Sequence, residues 1–217
     1  MGVIDKIAID LSTKLGDKLQ KSIEEKAVLR YGLFILIHTL IAIILTVLTG
    51  ILTGMTLEII IISITGAWFK RYTGGVHATT PERCLAIGLI LSLILSILCR
   101  YLVDSVNLNY IMLVGIFIII NFYYIINKKC PIPSKNKPLK KESTRKKLRK
   151  KAVILINIYT VLVISLYTMY IFTNLNVIKT IIVSCILGIV LQITALTEKG
   201  SSFISLLDRS FNIFYKK

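Results

Sequence analysis

The stretch TLEIIIISITGAWF, residues 56–69, decides how many times this chain crosses a membrane. A hydrocarbon core roughly 30 Å thick takes about 20 helical residues. This run, at about 55–68, is shorter and carries Glu58. Taken alone it reads equally well as a short tilted helix or as a segment that re-enters without crossing. Its surroundings decide between the two. Longer apolar runs lie at about 31–53, 84–103, 108–126, 152–173 and 176–197. Lys and Arg number six in residues 1–30, three in 70–83, twelve in 127–151 and four in 198–217, so these segments hold 25 of the 27 cations. Only Arg100 and Lys179 fall elsewhere. If every run crosses, all four basic segments share one side, which the positive-inside rule makes the cytoplasm. If residues 56–69 do not cross, the segment 70–83 changes sides relative to the later loops. The expected fold is therefore an all-α integral membrane protein with about six transmembrane helices and both termini cytoplasmic.

Composition agrees. The chain has 217 residues, 55% of them hydrophobic, and a formal net charge of +16; its mean hydropathy is +0.76. A soluble domain is not so apolar while confining its charge to a few blocks. Residues 1–30 place Val3, Ile4, Ile7, Leu11, Leu15, Leu19 and Ile23 at near-helical spacing between charges, as in an amphipathic helix lying on a membrane surface. Charges are scattered through this region and no uninterrupted apolar core precedes Tyr31, unlike a secretory signal. Membrane helices 1–4 then occupy 31–126, a basic Pro-containing loop 127–151, helices 5 and 6 residues 152–197, and a cytoplasmic tail 198–217. The high positive charge is juxtamembrane and lacks interleaved aromatics, which argues against nucleic-acid binding.

Between the second and third runs stands KRYTGGVHATTPERC, residues 70–84. In one unbroken helix His77 and Cys84 stand about 10.5 Å apart along the axis, too far for a hydrogen bond. The sequence breaks that helix. Gly74-Gly75 permits positive φ, and TTPER is a helix start, with Thr79 or Thr80 as cap, Pro81 in the first turn and Glu82 placed as in a capping box. Cys84 then lies one turn into a new helix, with His77 on the loop before it, free to fold back. Helix N-termini and neighbouring cations favour a thiolate, the nucleophilic form. Arg71 and Arg83 are the expected cations, His77 the base or imidazolium partner, and backbone N–H groups of the Gly-Gly turn or the helix start the expected oxyanion donors. The other cysteines, Cys99, Cys130 and Cys185, have no neighbouring His. No CxxC pair occurs, so neither a structural zinc site nor a disulfide framework fits, and no metal or cofactor is expected. His38, well inside the first apolar run, is expected to make a helix–helix hydrogen bond.

At this motif the chain resembles the AgrB family (accessory gene regulator protein B) of Gram-positive quorum-sensing systems. RYTGGVHATTPERC, with Arg71, Gly74, Gly75, His77 and Cys84, carries the resemblance. The six-run hydropathy and the basic loop CPIPSKNKPLKKESTRKK support it. The resemblance implies a membrane cysteine endopeptidase that cleaves an AgrD-like propeptide. Cys84 would be the nucleophile and His77 the base, with Arg71, Gly74 and Gly75 supporting. It also implies a thioester acyl-enzyme resolved by ring closure to a thiolactone, and a homodimer in the lipid bilayer of the cell membrane. Lys140, Lys141, Arg145, Lys146 and Lys147 would then dock the acidic tail of the propeptide. A transporter or peptide exporter and a non-catalytic scaffold are the competing readings; both predict that Cys84 is dispensable.

Overall fold

The computed structural model describes residues 2–133, 139 and 141–214 of the chain. Among the described residues there are eight helices: α1 (Val3–Lys18), α2 (Ile23–Thr53), α3 (Thr56–Thr73), α4 (Pro81–Ser105), α5 (Leu108–Lys129), α6 (Glu142–Thr173), α7 (Asn176–Leu196) and α8 (Glu198–Phe214). Of these, α2, α4, α5, α6 and α7 are long and apolar enough to cross a membrane.

Glu58, Lys70 and Arg71 keep α3 outside that set by composition. Its packing shows what the short run becomes. Three side-chain rungs tie it antiparallel to α4: Arg100 Nε donates to Glu58 Oε1 at 3.0 Å, Ser63 pairs with Ser92 at 3.1 Å, and Lys70 Nζ reaches Cys84 Sγ at 3.7 Å. At 1.5 Å per residue, α3 is about 27 Å long, close to the hydrocarbon thickness. Ile59, Ile62 and Phe69 are fully buried. Phe69 packs on Phe122 of α5 and Tyr159 of α6, with ring centroids 4.9 and 5.1 Å away. The ambiguous segment is therefore part of the core.

The helix packed most closely against α3 is α7. Its apolar stretch is 61% buried, against 6% for α2, so α7 is central and α2 peripheral. Close approach is possible because Gly188 of α7 faces α3: a Cβ there would lie 2.5 Å from Thr65 Cβ. Small residues bring membrane helices into backbone contact in this way.

Two boundaries differ from the sequence reading. The amphipathic helix α1 stops at Lys18, and α2 starts at Ile23 within the region assigned to it. The cause is a capping box: Glu25 N–H donates to Ser22 Oγ (3.2 Å) and Ser22 N–H to Glu25 Oε2 (2.9 Å). Helix α1 buries Ile4, Ala8 and Ser12 against the protein and leaves Ile7, Leu11, Leu15 and Leu19 outward, an exposed stripe suited to a membrane surface. Within the tail, Glu198–Phe214 forms the helix α8. Its Ile204, Leu207 and Phe211 pack with Val76, Ala78, Ile87 and Ala195.

Candidate active site

Loop 74–80 joins α3 to α4, and its start is held by two other parts of the chain, the segment at Ile132 and helix α7. Ile132 N–H donates to Thr73 O (2.9 Å), and Val76 N–H donates to Ala195 O (3.0 Å) at the end of α7. From α7, the buried Gln192 gives one Nε2 hydrogen bond to Thr73 Oγ1 (2.8 Å) and one to Gly74 O (2.9 Å). The Gly-Gly pair is required here. Gly74 and Gly75 have φ of 71° and 124°. A Cβ at Gly74 would run into Ile132 O, and one at Gly75 would lie 2.9 Å from Ala195 O.

The helix start falls where TTPER places it. Thr80 caps α4, its Oγ1 accepting from Arg83 N–H at 3.3 Å, and Pro81 occupies the first turn. This break lets the chain double back and brings the His77 imidazole beside the Cys84 sulfur. Lys70 Nζ reaches the sulfur at 3.7 Å, and the backbone of Ala78 also lies close enough to favour charge there. Cys84 is partly buried; His77 is exposed. The cysteine is thus surrounded by an imidazole, an ammonium and a backbone N–H at a helix N-terminus, all of which favour negative charge on sulfur.

The sulfur and the imidazole face different spaces. Cys84 opens onto a cavity of about 250 Å³ lined largely by apolar side chains, with His38, Ser63, Ser92 and Gln192. His77 opens onto a second cavity of about 370 Å³ with Tyr31, Arg71, Tyr72, Ile132 and Leu148. Lys70 lines both.

The structure revises several sequence expectations. A cation at the sulfur is Lys70, which nothing in the local sequence sets apart from Arg71 or Arg83. Arg83 reaches back to Thr79 Oγ1 (3.2 Å) and Asp208 (3.7 Å), and Arg71 lies over the Tyr72 ring at 5.9 Å. The N–H groups of Gly74, Val76, Arg83 and Cys84 all donate within the protein, so these expected oxyanion donors are occupied. His38 makes no helix–helix hydrogen bond through Nδ1, which is buried without a partner; the ring stacks on Phe34 with centroids 5.9 Å apart. Lys141, Arg145, Lys146 and Lys147 are exposed at the start of α6, and Lys146 pairs with Glu142 at 3.0 Å. Lys140 lies outside the described residues. All four cysteines are free, and among the described residues no cluster of His, Cys, Asp or Glu is placed to hold a metal ion. Cys130, at the end of α5, is buried, and burial pushes its thiol up to about 12.

Such a bundle, with a Cys and a His brought together where a short loop meets a capped helix, defines a class: multi-pass helical membrane proteins with a thiol site at one end. The family model of Accessory gene regulator B matches residues 5–196, and the chain belongs to that family, part of the accessory gene regulator quorum-sensing system. An AgrB-like protein of Clostridium perfringens (strain SM101) is 29% identical over 211 residues, covering 97% of this chain and 99% of the relative. AgrB-like protein 2 of C. perfringens strain 13 is 28% identical over the same shares. An AgrB-like protein of Listeria innocua is 28% identical over 127 residues, 58% of each chain. No solved structure matches.

Proposed function

We propose that this chain is a membrane cysteine endopeptidase that cleaves an AgrD-type propeptide and passes the acyl group to a thiol of the same peptide. The observation that carries this reading is the contact of Cys84 with His77 and Lys70 at the meeting of two cavities. The Cys84 thiolate attacks the scissile carbonyl carbon, and the carbonyl electron pair moves onto oxygen beside the Lys70 ammonium. The tetrahedral species collapses, the C–N bond breaks, and His77 delivers a proton to the departing amine. A thioester on Cys84 remains. The peptide's own thiol gives its proton to His77 and attacks that thioester, closing a thiolactone and returning the Cys84 thiolate. One thioester replaces another, so the exchange needs no further energy source.

The two cavities give the substrate a direction. A base that protonates the leaving amine must stand on the leaving-group side, and His77 faces the cavity that holds Arg71. The acidic C-terminal part therefore occupies that side, within reach of the basic start of α6, and the acyl part enters the apolar cavity behind Cys84. The semi-dry acyl side favours the ring-closing thiol over water. The protein acts as a homodimer in the cell membrane with both termini and this site on the cytoplasmic face, in keeping with the charge distribution.

The test uses full-length protein in nanodiscs with an AgrD-type propeptide. Cys84→Ala and His77→Ala abolish cleavage. A propeptide whose ring-closing Cys is replaced by Ala leaves a thioester adduct on Cys84, seen by intact mass. Cleavage that survives Cys84→Ala would remove Cys84 as the nucleophile, and absence of cleavage by the wild type would return the protein to the transporter or scaffold readings.

A further inference from the structure

The carboxylate of Asp208 stands on α8, beyond the residues that the family model matches. It is buried, 6% exposed, and 129 residues from the loop it touches. Oδ2 accepts from Thr79 N–H at 3.0 Å, Oδ1 accepts from Thr79 Oγ1 at 3.2 Å, and Arg83 Nη1 lies 3.7 Å from Oδ1. Arg83 also donates to Thr79 Oγ1 at 3.2 Å, closing the knot. The placement of these contacts is informative. Thr79 stands two residues after His77, and Arg83 immediately before Cys84. One carboxylate therefore holds the chain just beyond the base and just before the nucleophile. It is supported by a small apolar cluster in which Ile204, Leu207 and Phe211 of α8 meet Val76 and Ala78, the residues flanking His77. Thr79 itself is exposed, but the carboxylate that anchors the network is buried, and charge-assisted hydrogen bonds to such a group hold geometry more firmly than neutral ones do.

We propose that Asp208 is a positioning residue: by holding Thr79 and Arg83 it keeps His77 against Cys84, so that α8 completes the active site. This inference rests on the peptidase reading above. It makes the C-terminal helix part of the catalytic geometry.

The experiment measures Cys84 alkylation by N-ethylmaleimide at pH 7 and propeptide cleavage, using the full chain in nanodiscs. In Asp208→Asn, both the alkylation rate and kcat fall about tenfold while KM stays within about twofold. Asp208→Glu, which keeps the charge, recovers most of the loss. Thr79→Val and Asp208→Asn are strongly non-additive in the double variant, because each opens the same knot. Leu207→Ala, which loosens the packing of α8 and spares the carboxylate, has a smaller effect on alkylation. The proposal is overturned if Asp208→Asn alkylates and cleaves at the native rate. It is equally overturned if the Thr79 and Asp208 effects multiply independently, or if Leu207→Ala is as damaging. Native cleavage in Asp208→Asn together with inactive Cys84→Ala removes this inference and leaves the peptidase reading intact; an active Cys84→Ala removes the peptidase reading itself.

Discussion

Lys70 Nζ lies 3.7 Å from Cys84 Sγ, across a separation of 14 residues and a change of helix. The ammonium is half-buried at the end of α3 and lines both cavities, so it stands beside the site of bond making. Removing its charge withdraws support from the thiolate and from any oxyanion forming beside it. Lys70→Gln is expected to slow Cys84 alkylation at pH 7 several-fold, because the ammonium beside the thiolate is gone. Lys70→Arg keeps part of the native rate. Equal rates in wild type and Lys70→Gln would show that the contact is electrostatically idle.

Cys130 supplies the contrasting pH dependence. Burial has raised its thiol to about 12, so lowering the pH only adds to an already protonated population. Raising the pH to 9 exposes about one thiolate in a thousand. Site-resolved alkylation should therefore leave Cys130 nearly unlabelled from pH 6 to 9 in the folded protein, and label it readily after unfolding. Rapid labelling at pH 9 without unfolding would contradict the buried placement.

Gly75 tests the loop. With φ at 124° and Ala195 O only 2.9 Å from a notional Cβ, Gly75→Ala meets both strain and collision. A cost of about 1–3 kcal/mol is expected, read as a lowered thermal midpoint. Cleavage falls further, because the Val76–Ala195 hydrogen bond that places the loop is displaced.

Gln192→Leu leaves Thr73 Oγ1 and Gly74 O without their buried donor. The expected destabilisation is about 1–3 kcal/mol. Gln192→Glu, which also loses the donating amide, should not rescue it. A thermal midpoint equal to wild type in either variant would mean that the loop is held without this side chain.

Replacing Lys141, Arg145, Lys146 and Lys147 together by Gln should raise the KM for an acidic-tailed propeptide at low salt. The difference from wild type should close near 1 M salt, where the screening length is about 3 Å. A kcat defect independent of salt would place these residues in folding or topology instead of docking.

Much of the architecture was legible because hydropathy and charge report directly on the bilayer. The 25 basic residues grouped in four segments led to the expectation that 56–69 crosses; the structure makes that segment a core helix beside α7, while five other helices are the ones long and apolar enough to span. The break between His77 and Cys84 was legible too, since Gly-Gly and TTPER are local signals. Long-range partners left no such signal. Lys70 is one cation among 27, and Gln192 one polar residue in an apolar run; each is defined by contacts with residues far away in the chain. Asp208 was hidden for the same reason, although Ile204, Leu207 and Phe211 at helical spacing mark α8 as amphipathic.

Helix α6 runs unbroken from Glu142 to Thr173, with Ala152, Leu155 and Ile156 buried in the bundle. Its cationic first turns therefore cannot be re-aimed without dragging the buried turns that follow. The helix behaves as the fixed arm of a caliper. For a peptide gripped at its charged end and cut at Cys84, the number of residues between grip and cut is set by the rod's geometry. Lengthening or shortening that peptide segment should then move the cut off register, whatever its sequence.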